Sequence, residues 1–571
     1  MTESAITGSL ANWDCAAFGS APRDALHLPY AGRDEKREQN DGRAGADLDV
    51  LSANELNYLI EISEGNCLQM DETRLSLTGA TTWQVMRGLA EARCAILTLQ
   101  VAKGFSRISQ IEPILGDLPN GVAKKIEFMV RLLRAVGFAL QDDILPALHF
   151  AQSAIKQARE CHDSCTAKTV CRLVYWKLGD LDSFYALPRN RLWSATNGKE
   201  AICNVFDLAI EAAVEFNQLR LSSARHLAQD ALVLAERTSP RHAVLTALPA
   251  SLLAQFLYEQ GSLEEAEQMV VSHLQAIEMA GTIECALVAY PILARAASRR
   301  GQHARAGAIL DELEDTAKQR GWRRLAAASI AERVNLLLEN DKIAEAAICV
   351  DALECLETSP DTVPSSAQSD IHRIWTLARA RVTLARGPSR SAVAILRQLQ
   401  REAVNRQDLY GALQLAIRLV DALEVIGEQS EAFAVLLRAL TLGSAVGVYQ
   451  AFLDGGPRVQ KLLVHVYDHP PTSDVRLRGL LPYIGSLLDR NRARETARAS
   501  TQPHSRSTCI LSERERVTLI WMSHGLSNKG IAKKLGVTPE TIKSHAKKIF
   551  LKLTAKTRAE AVSRASSLGL I

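Results

Sequence analysis

Short turns break this chain at a nearly constant spacing, and between them the polar and apolar residues run as helices. Gly261 is followed by Leu263 and Ala266, then by a helix ending near Gly281. Gly301, with Ala306 and Gly321, repeats that layout forty residues later, and Asp341, with Ile343 and Ala346, repeats it after forty more. Gly387 with Ala392 and Gly427 with Ala432 are again forty apart; the longer gap before Gly387 holds an inserted polar loop, ETSPDTVPSSAQSD (357–370). Weaker copies begin near Gly104, Asp142, Gly179 and Leu219. Each unit reads as helix, tight turn, helix, and the small alanine after the turn lets the two helices approach. A lone helical hairpin cannot bury its apolar face, so the units must stack. The predicted fold is all-α: an α-solenoid of tetratricopeptide-like hairpins over 51–489, with a period about forty against the thirty-four of standard tetratricopeptide repeats. Its long concave surface suits a peptide, a protein or a small ligand.

The last sixty residues predict four shorter helices with readable ends. Ser512 is a suitable N-cap, and Glu515 three residues later completes a capping box. Leu511 and Leu519 fall on the buried side, and Gly525 stops this helix. Ser527 caps a second, short helix with Ile531, Ala532 and Leu535 on one face, ended by Gly536. Thr538 caps the third, with Pro539 in the first turn, where a missing N–H costs nothing. Thr557 and Glu560 box the start of the fourth, which carries Ala561, Val562, Ala565 and Leu568. The turn around Gly536 makes a helix-turn-helix, a motif whose second helix enters the major groove of double-stranded DNA. That third helix is two-sided: Ile542, Ile549 and Leu553 point inward, while Lys543, Ser544, Lys547, Lys548 and Lys552 spread over the other face.

Charge sharpens this picture. Residues 511–571 hold twelve Lys or Arg and four Asp or Glu, a formal +8, whereas the whole chain is only +3; residues 1–510 therefore carry −5. A compact basic module on a mildly acidic body is the electrostatic footprint of a nucleic-acid binder.

The segment from Leu511 to Ile571 resembles the LuxR/FixJ-type DNA-binding domain along its full length. The matching residues include Leu511, Arg514, Glu515, Leu519, Gly525, Ser527, Asn528, Lys529, Ile531, Ala532, Leu535 and Val537, then Thr541, Ile542, Lys543, His545, Ile549, Lys552, Leu553, Arg558, Ala561 and Val562. The resemblance implies that Lys543, Ser544 and Lys547 read bases and that Thr541, His545 and Ser527, Asn528 and Lys529 lie near phosphates, with Lys548 on the same exposed face. It also implies a homodimer on DNA through the fourth helix, at Ala561, Val562 and Ala565. Val517, Ser523 and Gly530 depart from the family pattern, which often has glutamate, alanine and glutamate there. The solenoid, with its exit Phe452-Leu453-Asp454-Gly455-Gly456-Pro457, resembles the sensor region of MalT-like large LuxR-family activators. That implies an unidentified small ligand or protein on the solenoid, and RNA polymerase as a partner of an activator. In that family an ATPase module precedes the solenoid; here no GxxxxGK[ST] phosphate loop occurs, and the only Gly-Lys pair, Gly198-Lys199, is followed by Glu200. No cofactor is expected.

Residues 1–50, with the run RDEKREQNDGR, read as loosely ordered, residues 490–508 as a linker and 509–571 as the DNA-binding domain. No run of eighteen apolar residues and no signal peptide is found, so a cytoplasmic protein without a membrane span is expected. Eleven scattered cysteines suit a reducing compartment. Cys161, His162, Cys165 and Cys171 cluster, but without the paired CxxC spacing of structural zinc sites, so packing is expected and no metal. No Ser-His-Asp ordering, HExxH or glycine-rich cofactor loop points to an enzyme. Two functions fit: a sequence-specific transcription regulator, or a repeat scaffold whose basic module only dimerises. Lys543 and Lys547 on the exposed face favour the first.

Overall fold

The computed structural model describes residues 80–500 and 513–567 apart from residues 98, 119, 159–163, 190–197, 239–243, 280–281, 359–364, 470–474, 524, 536, 553–554 and 556. The N-terminal segment 1–50, expected to be loosely ordered, lies outside the described residues. Those described are helical, with no strand among them, and divide into two compact units after Arg498. Among the described residues no helix is long and apolar enough to cross a membrane.

Among the described residues the first unit is a stack of nine helical hairpins. The first three are Ala80–Leu97 with Val101–Ile111 (α1, α2), Asn120–Leu140 with Ile144–Gln157 (α3, α4), and Cys165–Leu178 with the short Leu181–Ala186 (α5, α6). Then come Gly198–Asn217 with Leu221–Thr238 (α7, α8), and Ala247–Glu259 with Leu263–Ser272 (α9, α10), followed by a single turn of helix, Leu274–Met279 (α11). The sixth and seventh pair Ile283–Arg299 with His303–Arg320 (α12, α13) and Arg323–Glu339 with Ile343–Thr358 (α14, α15). The last two pair Ser365–Arg386 with Arg390–Asn405 (α16, α17) and Leu409–Ile426 with Gln429–Val446 (α18, α19). Gln450–Leu453 (α20), Pro457–Asp468 (α21) and Val475–Ser500 (α22) close the unit.

One geometry closes most of the hairpins. At most tips a residue takes the left-handed backbone, with φ between 57 and 83 at Asp142, Gly179, Leu219, Gly261, Gly301, Asp341 and Gly427, while Gly387 stands at φ 155. Five residues on stand Ala147, Ala224, Ala266, Ala306, Ala346, Ala392 and Ala432, all buried. A larger side chain there would force the two helices apart at a cost of about 1–3 kcal/mol. The expected copy near Gly104 is displaced: the tip is Leu99, at φ 63, and Gly104 lies within α2 at the alanine position. A Cβ on Gly104 would fall 2.5 Å from Ile96 Cγ1, so this first hairpin is tighter than alanine permits. The third hairpin has Phe184 at that place, under the Arg172 guanidinium at 4.1 Å, and its second helix ends two residues later. The inserted loop is also shorter than 357–370, because α15 runs to Thr358 and α16 starts at Ser365, with Ala367 buried.

The hairpins do not stack in a line only. Successive tips of the early hairpins dock in order onto later ones. Trp322 Nε1 donates to Leu140 O at 2.7 Å, and Arg324 bonds both Asp142 oxygens at 2.8 and 2.9 Å. Arg406 Nη2 donates to Lys177 O at 2.9 Å, and a Cβ on Gly179 would lie 2.1 Å from Arg406 O. The Gln218 amide donates to Gln407 O, and the Phe216 and Tyr410 rings meet edge to face at 4.7 Å. Tyr449 N donates to Glu259 O at 2.9 Å, Tyr258 Oη donates to Asp454 at 2.6 Å, and Arg490 Nη1 donates to Gln260 O at 2.8 Å. The solenoid is thus wound tightly enough for one turn to touch the next. Residues 490–500, expected in the linker, continue α22, and Arg494 bonds Leu453 O and Asp454 at 2.9 and 3.2 Å. These anchors hold the start of that segment on the solenoid.

Candidate nucleic-acid interface

The second unit contains Glu513–Ser523 (α23), Asn528–Leu535 (α24), Pro539–Lys552 (α25) and Arg558–Ser567 (α26). Leu519, Met522, Ile531, Ala532, Ile542, Ala546, Ile549, Ala561 and Ala565 form its core. Burying one leucine or isoleucine contributes about 1.5–3 kcal/mol, so the inward faces of α24 and α25 are fixed against one another by this small core. Leu511, Ser512, Leu553 and Leu568, also expected in or beside that core, lie outside the described residues.

Three predicted caps form. Ser527 Oγ accepts from Gly530 N at 3.2 Å, Thr538 Oγ1 from Thr541 N at 3.3 Å, and Thr557 Oγ1 from Glu560 N at 3.2 Å. Gly525 takes φ +78 after α23, and Leu526 N returns to Trp521 O at 3.2 Å. Glu515, expected as the far half of a capping box, is buried, as is Thr518 beside it.

With its inner face buried, α25 leaves Lys543, Ser544, Lys547 and Lys548 exposed. Thr541 and His545 are half-buried, and the Thr541 hydroxyl lies 2.8 Å from that of Thr538. On α24, Ser527 and Lys529 are exposed and Asn528 is half-buried. A hollow brings Asn528 together with Lys543, Ser544 and Lys547, and with Arg558. Ser527, Lys529, Thr541, His545 and Lys548 do not line it. The Lys543 ammonium pairs with Glu540 one turn earlier at 3.2 Å, both side chains being more than two-thirds exposed.

Three basic side chains were given no role by the sequence pattern. Arg558 Nη2 donates to Met522 O at 3.1 Å and to Leu526 O, tying the end of α23 to α26. Lys534 lies over the Trp521 ring at 4.0 Å, and Lys533 beside it is exposed. Basic residues in a helix's last turn were the available signal, since they complement its dipole. Two of the three residues expected at the dimer contact are internal to the unit. Ala561 and Ala565 are fully buried in the unit's own core, because they face α23 and α25; of the three residues named, only Val562 retains exposed surface.

The cysteine cluster is described only in part. Cys161 and His162 lie outside the described residues, while Cys165 and Cys171 are buried in α5, and burial pushes the Cys171 thiol up to about 12. Among the described residues no group of His, Cys, Asp and Glu is placed to hold a metal ion.

Known proteins share both parts of this architecture. Residues 179–469, half of the chain, match the MalT-like TPR region, and residues 509–565 match the bacterial regulatory proteins of the luxR family. The HTH-type transcriptional regulator MalT of Vibrio campbellii is 26% identical over 449 residues, covering 74% of this chain and 47% of that protein. MalT of Vibrio cholerae is 26% identical over 391 residues, covering 64% and 41%. The chain thus spans about half the length of these curated relatives. The transcriptional regulatory protein YdfI of Bacillus subtilis is 34% identical over 100 residues, 18% of this chain and 46% of its own length. The crystal structure of a Rap protein complexed with competence and sporulation factor superposes with a TM-score of 0.48 at 12% identity, over 64% of this chain and 99% of that one. With a MalT-like repeat region over half its length and a luxR-type module behind it, the chain belongs to the MalT-like regulators of the luxR family.

Proposed function

We propose that this protein regulates transcription by binding double-stranded DNA sequence-specifically as a homodimer, under the control of a small ligand or protein partner on the solenoid. The helix α25 enters the major groove, where Lys543, Ser544 and Lys547 read base edges, while Thr541, His545, Lys548, Ser527, Asn528 and Lys529 hold the backbone. The observation that carries this is the sidedness of α25: Ile542, Ala546 and Ile549 are buried, and the lysines opposite stand clear. Dimerisation uses the Val562 side of α26. The protein works in the cytoplasm and activates by recruiting RNA polymerase, as the MalT resemblance suggests.

A binding titration against DNA from upstream of the protein's own gene tests this. Lys543→Ala or Lys547→Ala should cost about 1–3 kcal/mol on the preferred site and blur its discrimination. Lys529→Ala should weaken all sequences alike and lower the salt slope by about one. Glu540→Gln should tighten every sequence, by about threefold, because it frees Lys543 and removes an anion from the phosphate-facing side. If Lys543→Ala left the preference for specific over random DNA unchanged, the assigned orientation of α25 would be wrong.

A further inference from the structure

Of the first helices of hairpins six to nine, α12 packs on α14 and α14 on α16, and together with α18 they present charged residues inside the first unit. Two carboxylates there are saturated. Glu332 accepts from Arg295 at 2.6 and 2.7 Å and from Asn335 at 2.9 Å. Asp454 accepts from Arg299 at 2.8 Å, Arg494 at 3.2 Å, Gln450 at 2.8 Å and Tyr258 at 2.6 Å. Arg381 of α16 and Arg418 of α18 stand in the same cluster and receive nothing: neither forms an ion pair or a side-chain hydrogen bond among the described residues, and Arg381 Nη1 is buried without a partner. The charges that face Arg381 are Arg418, Glu339, Glu332 and Asp421; those that face Arg418 are Arg295, Asp454, Glu332 and Glu339. Asp421 is engaged by Arg458 at 3.4 Å, which leaves Glu339 as the one carboxylate there without an ion pair among the described residues. Arg295, Arg299, Arg381, Arg418 and Arg494 therefore outnumber Glu332, Glu339 and Asp454, and burial pushes Glu259, beside Asp454 and Arg295, toward its neutral form. Burial first, and then Arg418, hold Arg381 below the ordinary range of arginine; burial and Arg295 do the same to Arg418.

The contrast with another charged site is informative. Around Asp142, Glu284 and Asp370, each carboxylate is bonded by Lys177, Arg324, Arg373 or Arg406. There every cation has a carboxylate partner, although Arg373 Nε is buried without a hydrogen bond, and the network ties distant hairpins together. The Arg381–Arg418 cluster is not complete. An unanswered cation away from water is costly, and the cost is removed when an anion supplies the missing charge. Both side chains keep part of their surface exposed, so a small molecule can reach them. A guanidinium fork matches the paired oxygens of a phosphate or carboxylate.

We propose that Arg381 and Arg418 receive an oxyanion, the phosphate or carboxylate group of a small molecule, inside the solenoid. This rests on the reading of the solenoid as the ligand-taking part and names the chemistry of that ligand. Bound there, the anion bridges hairpins eight and nine, so its binding energy bears on how those hairpins sit together.

Isothermal titration of the full chain with inorganic phosphate, pyrophosphate and citrate, at ionic strength held constant with sodium chloride, tests the proposal. Saturable binding of at least one ion is expected, and the preferred ion separates a phosphate from a carboxylate ligand. Affinity should fall about tenfold or more in Arg381→Gln and in Arg418→Gln, the worth of one charged hydrogen bond. It should be unchanged in Arg390→Gln, an arginine 88% exposed on the outer helix of hairpin eight. The double variant should melt no lower than the parent without anion, because it loses only uncompensated charge, and it should gain nothing when anion is added. No saturable binding by any of the three ions, or equal binding by the double variant, overturns the proposal. DNA titration on the same samples keeps the two readings apart: intact DNA binding with no oxyanion site refutes this inference alone, and an oxyanion site without DNA binding refutes the other.

Discussion

Glu259 shows what burial does to one group in this solenoid. It ends α9 almost fully enclosed, with Tyr410 donating to one carboxyl oxygen, while the other has no hydrogen-bond partner. Burial raises its pKa from 4.5 to about 7, against the Tyr410 hydrogen bond, which pulls it down; Asp454 adds to the rise, and Arg295 and the Ala451 N–H oppose it. Between pH 4.5 and about 7 the folded protein holds a proton that the unfolded chain has lost. Raising the pH through that window therefore costs stability, and above it nothing further is lost. Glu259→Gln keeps the shape and removes the titration. Urea unfolding of both proteins should show the variant gaining on the parent from about pH 5 to 7, on the order of 1.4 kcal/mol for each pH step of one, with a constant difference above. A difference that does not change with pH would mean that Glu259 is ionised in the fold. Residue-scale features like this one are not legible in the sequence, where Glu259 reads as a polar helix end. Leu99 escapes as well: nothing in its own residue type marks a leucine held at positive φ, and the glycine five residues on, Gly104, stands out instead.

At the scale of the element, local signals are strong. The caps at Ser527, Thr538 and Thr557 and the sidedness of α25 depend on neighbours within one or two turns, so the sequence carries them directly. The dimer face does not follow, because small residues on α26 suit a core as well as an interface; Ala561 and Ala565 go to the core. Gly530 offers a test at this scale. It follows the cap residue Ser527 by three, donates its N–H to the Ser527 hydroxyl, and gives a new Cβ only ordinary contacts, the nearest at 3.6 Å. Gly530→Glu should stabilise the second unit by about 1 kcal/mol, from helix propensity and from a second bond returned to the cap. Thermal melting read from Trp521 fluorescence measures it. A lower melting temperature would show that the glycine is needed where it stands.

The whole first unit depends on contacts that no local pattern announces. Asp142, Lys177, Arg406 and Gln407 look like solvated turn residues, yet they join tips to hairpins 182 to 229 residues away. The repeat is legible because it recurs; the winding is not, because it is set by which turns meet after several repeats. Gly179→Ala tests it. The added methyl would collide with the Arg406 carbonyl, at a backbone angle that alanine resists, and should cost about 2–4 kcal/mol. Chemical denaturation of Gly179→Ala beside Gly301→Ala, a tip where a Cβ meets nothing within 4 Å, separates the collision from the backbone cost. Equal losses would mean that the docking of the tip on Arg406 contributes little. The same winding bears on how the protein comes apart. A straight repeat array contacts only its neighbours, so it can fray from an end one repeat at a time. Here the tip of hairpin two is fastened to hairpin seven and that of hairpin three to hairpin eight, so an end hairpin cannot leave without opening the middle. Amide exchange from hairpins two to nine should then follow one shared opening, and folding should wait on ring closures of nearly two hundred residues, giving slow, cooperative kinetics in place of the fast local zippering of an open solenoid.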